Sequence, residues 1–107
     1  MTSSQTNKVA LVTGAGSGIG EGIARRFGSD GYKVMVADID ATAAEACAQA
    51  IVDAGGQAAA CQVDVRERDA VSAAVAAAVS QFGRLDAAVA NAGIMNREPF
   101  LEFSDKL

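Results

Sequence analysis

At 107 residues and a net charge of −4, the chain has room for one small domain with a modest core and no second module. Acidic and basic residues are interspersed and there is no basic stripe, which argues against a nucleic acid or an anionic membrane as the partner. Half of the residues are hydrophobic but only 5% are aromatic, so small side chains should fill the core and bring helices close to a sheet. Residues 1–7 are polar and read as a disordered tail without a secretory signal, which gives a cytoplasmic location as the default. The longest uncharged stretch, Ala70 to Gly83, is shorter than the ~20 residues of a membrane span.

Lys8 to Thr13 reads as the first strand, followed by a glycine-dense turn and a helix from about Ile19 to Ser29, with Ile19, Ile23 and Phe27 at helical spacing. Arg25 and Arg26 fall on its solvated side. Lys33 to Asp38 is a second strand, nearly continuous in apolar residues as for burial on both faces. Asp40 is a plausible N-cap for a helix from Ala41 to Ala54, with Ala44, Cys47, Ala48, Ile51 and Ala54 on one face. Gln57 to Val63 forms a third strand ending at Asp64. A third helix is expected from Glu67 to Phe82, with Val71, Val75, Ala78, Val79 and Phe82 at helical spacing and Glu67 and Asp69 in its first turn. Leu85 to Asn91 is a fourth strand, Ile94 to Phe103 a loop around Pro99, and Ser104-Asp105 a helix cap. Cys47 and Cys61, with no histidine in the chain, read as buried free thiols rather than a zinc site.

This alternation implies an α/β domain over residues 8–107, a doubly wound parallel sheet of about four strands in the order 3-2-1-4, with a ligand crevice at the strands' carboxyl ends. Gly14, Gly18 and Gly20 form G-x-x-x-G-x-G after Thr13. No register gives G-x-G-x-x-G or a P-loop. A helix start there leaves backbone N–H groups and partial positive charge for a phosphate or pyrophosphate. Asp38 lies eighteen residues after Gly20, near the ~20-residue interval that places an acid on the adenosine ribose. A carboxylate there accepts from both hydroxyls and repels a 2′-phosphate. Neither Ser17 nor Ile39 supplies a cation for such a phosphate, so NAD is favoured over NADP. The bland alternatives are a capping role for Asp38 and helix-to-sheet packing through Gly18 and Gly22.

With these pieces in place, the chain from Lys8 to Leu107 resembles the short-chain dehydrogenase/reductase superfamily, which has a Rossmann-type fold. Thr13 to Gly20 is similar to its T-G-x-x-x-G-x-G motif, Ala37-Asp38-Ile39-Asp40 to its NAD-preferring strand end, and Ala90-Asn91-Ala92-Gly93 to its N-N-A-G segment, with Ala90 departing from the pattern. The resemblance implies that Gly14, Ser17, Gly18, Ile19 and Gly20 approach the phosphates and nicotinamide. It also implies that Asp64 and Val65 lie against the adenine, that Asn91 steadies strand four, and that Asn91, Ala92 and Gly93 line the nicotinamide ribose. The implied activity is hydride transfer with an alcohol or carbonyl substrate.

The family's serine, tyrosine and lysine have no match here. The only tyrosine, Tyr32, is followed four residues later by Val36, so the chain as given is expected to lack catalytic groups and metal sites and to be inactive alone. The alternative is a non-catalytic nucleotide-binding or self-associating half-domain. Leu85 to Asn91 should leave an apolar sheet edge, which predicts a homo-oligomer through strand four.

Overall fold

The computed structural model describes residues 7–64 and 66–91. In chain order the elements are β1 (Val9–Thr13), α1 (Gly18–Ser29), β2 (Lys33–Asp38), α2 (Ala41–Asp53), β3 (Gln57–Gln62), α3 (Ala70–Phe82) and β4 (Ala87–Ala90). The strands are parallel and form one sheet in the order β3-β2-β1-β4. The doubly wound α/β reading is therefore the observed fold. The expected loop from Ile94 to Phe103 and the Ser104-Asp105 cap lie outside the described residues.

The central strands make the interior. Every residue of β1 is buried, as are Val34 to Ala37 of β2. Leu11, Val9, Val12, Val34 and Val36 are the largest fully buried side chains, each worth about 1.5–3 kcal/mol of removal from water. Alternation along the strands sends Val12, Val34 and Val36 to one face, against Ala24 of α1 and Ala44, Cys47 and Ile51 of α2. Val9, Leu11, Met35 and Ala37 face the other side, against Ala74 and Ala78 of α3. Cys47 is buried in the first layer, and Cys61 is half-buried against the second. The two thiols lie on opposite faces of the sheet, and desolvation pushes both thiol pKa values up.

Helix α3 keeps Val75, Ala78 and Phe82 on the core as expected but departs from the expectation at Val79 and in its start. Its buried seam is Ala70, Ala74 and Ala78, while Val71 and Val75 are half-buried and Val79 is 43% exposed. Small residues at the contact let the helix backbone approach a sheet face already filled by Leu11 and Met35, and the valines flank that line. The start shifts from Glu67 to Ala70 because the preceding residues form turns. Glu67 N–H donates to Asp64 C=O at 2.9 Å and Ala70 N–H to Glu67 C=O at 3.1 Å. Glu67 thus precedes the helix, and Asp69 occupies the N-cap without a side-chain cap bond. In α2, by contrast, the Asp40 carboxylate accepts from Ala43 N–H at 3.1 Å. Ala54 is the exposed C-cap of that helix rather than part of its buried face.

At the amino end of the sheet, Asp86 holds β4 to β1. Its Oδ2 accepts from Val9 N–H at 2.8 Å, and its own N–H donates to Val9 C=O at 2.8 Å. Arg84 binds the same carboxylate through Nε at 2.9 Å and Nη2 at 2.7 Å. The Arg84 guanidinium and the Val9 N–H lower the Asp86 pKa from its ordinary value.

Candidate functional site: a crevice at the carboxyl ends of the strands

The register fixes where the site lies. Thr13 pairs with Ala37 and with Ala90, and Asp38 with Gln62, so the ends of all four strands share one edge. A crevice of about 330 Å³ opens there, lined by Gly14, Ser17, Asp38, Ile39, Val63, Asp64, Arg66 and Asn91. A larger groove of about 480 Å³ runs between the ends of α1 and α2, past Gly28, Ile51 and Gly56. The sequence places no cofactor motif at that end of the helices, and its Arg25 and Arg26 are paired with Glu21 and Asp30.

The turn from β1 into α1 needs its glycines for different reasons. Gly14 and Gly18 sit at φ 65° and 60°, a left-handed backbone that side chains disfavour. Gly20 is buried, and a Cβ there would lie 2.0 Å from the Gly14 carbonyl oxygen and 2.7 Å from Asn91 Nδ2. Asn91 Nδ2 donates to that same carbonyl at 3.2 Å, so the end of β4 is tied to the glycine turn. Ala15, fully buried, donates its N–H to Ala37 C=O at 3.1 Å and ties the turn to β2. Gly18 and Gly22 have nothing within 4 Å of an added Cβ, so neither is a packing glycine against the sheet.

Ser17 is the N-cap of α1 in an extended conformation with no side-chain cap bond. No cap side chain therefore takes the first-turn N–H groups, and the helix starts beside the crevice that Ser17 lines, as an anion site requires. Ile19 shares the helical period of Ile23 and Phe27, yet it is 69% exposed whereas those two pack on the core. It stands at the first turn of α1, on the edge where the strands end.

Asp38 is half-buried and faces the turn. Its Oδ2 accepts from Gly16 N–H at 2.8 Å and its Oδ1 from Asp40 N–H at 2.9 Å. The carboxylate therefore holds the glycine turn to the start of α2, and each oxygen keeps an unused lone pair. Ile39, beside it, is 53% exposed, and its carbonyl accepts from Gln62 Nε2 at 3.0 Å.

Across the crevice, the Asp64 carboxylate takes Arg66 Nε at 2.9 Å, Nη2 at 2.7 Å and the Arg66 backbone N–H at 3.0 Å. Arg66 thereby lowers the Asp64 pKa to about 2. Arg66 and Val63 are lining residues that the motifs leave out. The opposite charges two residues apart in Asp64-Val65-Arg66 were the available signal for Arg66.

Among the sequence-predicted residues, the structure gathers Gly14, Ser17, Asp38, Ile39, Asp64 and Asn91 on the crevice. Gly18, Ile19 and Gly20 form the adjoining helix start, while Val65, Ala92 and Gly93 lie outside the described residues. Tyr32 is remote from this edge, because it precedes β2 and meets the Phe27 ring edge-on with centroids 4.9 Å apart. A dinucleotide fits this donor set. Open helix N–H groups suit a pyrophosphate, a two-oxygen acceptor suits a ribose diol, and Gly20 clears the approach of the turn.

Known proteins resemble this chain in sequence and in fold. The family described as short chain dehydrogenase matches residues 8–107. Cyclohexanol dehydrogenase of Acinetobacter sp. (strain SE19) is 46% identical over 95 residues, covering 89% of this chain and 38% of that protein. The crystal structure of a hydroxysteroid dehydrogenase from Escherichia coli matches with a TM-score of 0.77 at 44% identity, over 80% of this chain and 37% of that one. A metagenomic short-chain oxidoreductase in complex with NADP matches with a TM-score of 0.74 at 39% identity, over 81% of this chain and 39% of that one. The chain thus spans less than two-fifths of the length of each of these three proteins. By sequence and by fold, it belongs to the short-chain dehydrogenase/reductase family.

Proposed function

We propose that this chain is the dinucleotide-binding part of an oxidoreductase that acts on an alcohol or carbonyl substrate, with NAD favoured over NADP. A nicotinamide cofactor, when bound, supplies or accepts the hydride. The chain's own residues bind and orient it: the α1 N-terminus takes the pyrophosphate, Asp38 the adenosine ribose, and Asp64 with Ile39 the adenine side.

The observation that carries the reading is the Asp38 carboxylate, fixed at the crevice edge with a free lone pair on each oxygen. It suits a 2′,3′-diol and opposes a 2′-phosphate. Arg66 is the one cation among the described lining residues, and its Nε and Nη2 are committed to Asp64. A relative at 39% identity is in complex with NADP, so the preference for NAD rests on these local groups of the chain and not on the fold.

Fluorescence titration with NADH and NADPH tests the reading. The expected preference for NADH is about tenfold or more, equal to ~1.4 kcal/mol. Asp38→Ala should narrow it, and Ile39→Arg added to that change should invert it. Equal affinities in the unmodified protein would remove the role given to Asp38.

We also propose self-association through β4. Among the described residues β4 pairs only with β1, and Ala87–Ala90 carries no charge to discourage a second strand.

A further inference from the structure

We infer that Gly16 is a positioning residue for cofactor choice: its bare backbone holds the Asp38 carboxylate in the orientation that reads the adenosine ribose. The inference rests on the NAD-binding reading and adds a residue to it. Gly16 differs from the other motif glycines. Its φ lies outside the left-handed region that Gly14 and Gly18 occupy, so its backbone conformation is open to any residue. It differs from Gly20 too, because what an added Cβ would meet is the specificity residue itself. That Cβ would lie 2.9 Å from Asp38 Oδ2, 3.0 Å from Asp38 Cγ and 2.7 Å from Ala43 Cβ.

The same approach permits the Gly16 N–H to reach Asp38 Oδ2 at 2.8 Å, a charge-assisted bond. On the other side, Asp38 Oδ1 takes Asp40 N–H, and Asp40 Oδ1 caps Ala43 N–H. A chain of hydrogen bonds therefore runs from the glycine turn through Asp38 into the first turn of α2, and Gly16 and Ala43 close around it. A methyl group at position 16 meets two neighbours of unequal stiffness. Ala43 is fixed on a helix, whereas the Asp38 carboxylate ends a rotatable side chain, so Asp38 yields first and its fixed orientation is lost.

The consequence is a change in discrimination rather than in general affinity. With Asp38 turned away, the ribose diol loses its acceptor and a 2′-phosphate meets less opposing charge. Gly16→Ala should reduce the NADH over NADPH affinity ratio by about tenfold, the size of one lost charge-assisted bond. Gly16→Ala combined with Ala43→Gly removes the helix clash and leaves only the contact with Asp38. This double variant guards against a protein that simply fails to fold, and it should show the same reduced ratio. In an Asp38→Ala background, Gly16→Ala should leave the ratio unchanged, whereas a merely structural loosening would weaken both cofactors in every background.

The experiment is titration of the purified protein and these variants with NADH and NADPH, beside thermal unfolding of each. A preference for NADH that Asp38→Ala abolishes and both Gly16 variants retain would overturn the inference alone. An unmodified protein with no preference would overturn the underlying reading and the inference together.

Discussion

Gly20 and Gly22 sit two positions apart on α1, and their surroundings predict opposite responses to the same substitution. At Gly20 an added methyl meets a backbone carbonyl and the Asn91 amide, neither of which can rotate away without breaking the tie between β4 and the turn. Gly20→Ala should therefore destabilise the fold by about 1–3 kcal/mol, the usual cost of overfilling a packed site. At Gly22 the space is open and the residue is helical, so Gly22→Ala should stabilise by roughly 0.5–1 kcal/mol through chain entropy alone. Denaturant unfolding of the two variants checks both signs. A Gly20→Ala protein as stable as the parent would mean that the turn relaxes where the packing says it cannot.

Among the elements, α3 and β4 depend on contacts that their own sequences do not announce. The alanine seam of α3 predicts that Ala74→Leu, at a position 1% exposed, costs about 1–3 kcal/mol. Val79→Thr, on the solvent side, should stay within about 0.5 kcal/mol of the parent. The reverse order would mean that Val79, and not the alanine seam, faces the sheet.

At the start of β4, Asp86 is held ionised by Arg84 and by the Val9 N–H, so its folded pKa lies below the ordinary 3.8. A depressed carboxyl pKa supplies stability that is complete above the ordinary value and is lost as pH falls through the folded one. Asp64, lowered to about 2 by Arg66, behaves in the same sense, though Arg66 is 80% exposed and solvent weakens that pair. Asp86→Asn should therefore lower the melting temperature at neutral pH. It should also flatten the fall in melting temperature as the pH drops below 3.8. Parallel pH curves for the variant and the parent would show that the Asp86 carboxylate does not contribute through its charge.

For the molecule as a whole, the parallel order β3-β2-β1-β4 places the most buried strands at the centre and β3 and β4 outside them. The half-buried β4 is the face through which a second copy is proposed to dock. Light scattering of the 107-residue chain at micromolar concentration should give a dimer or larger species, and Val89→Lys should shift it toward monomer. Val89 also packs on the core beneath α1 and α2, so circular dichroism of the variant must show an intact fold for the comparison to count. A folded monomer in the parent chain sinks this proposal.

The strand order and the meeting of Gly14, Asp38 and Asp64 at one edge were legible because each strand ends in a turn residue or an acid. Right-handed parallel crossovers then bring such ends together whatever the side chains between them. The Asp40 cap was legible for a similar reason, since its partner Ala43 is three residues away. Local pattern failed where a contact crosses the chain or captures a backbone group. Asp64 C=O takes the Glu67 N–H and Glu67 C=O the Ala70 N–H, so turns precede α3 and it starts at Ala70. Leu11 and Met35 already fill the face that α3 must cover, and so alanines form the closest seam, with Val75 and Phe82 packed beside it and Val79 left exposed.

By itself, then, the sequence determined the alternation of elements, their parallel order and the edge that carries the cofactor motif, all properties of periodicity and chain connectivity. Only the tertiary structure decided that Gly16 touches Asp38 across 22 residues, and that Asp86 and Asn91 secure the two ends of β4 across 77. Those contacts are set by sheet register and close packing, which bring together residues that no local pattern relates.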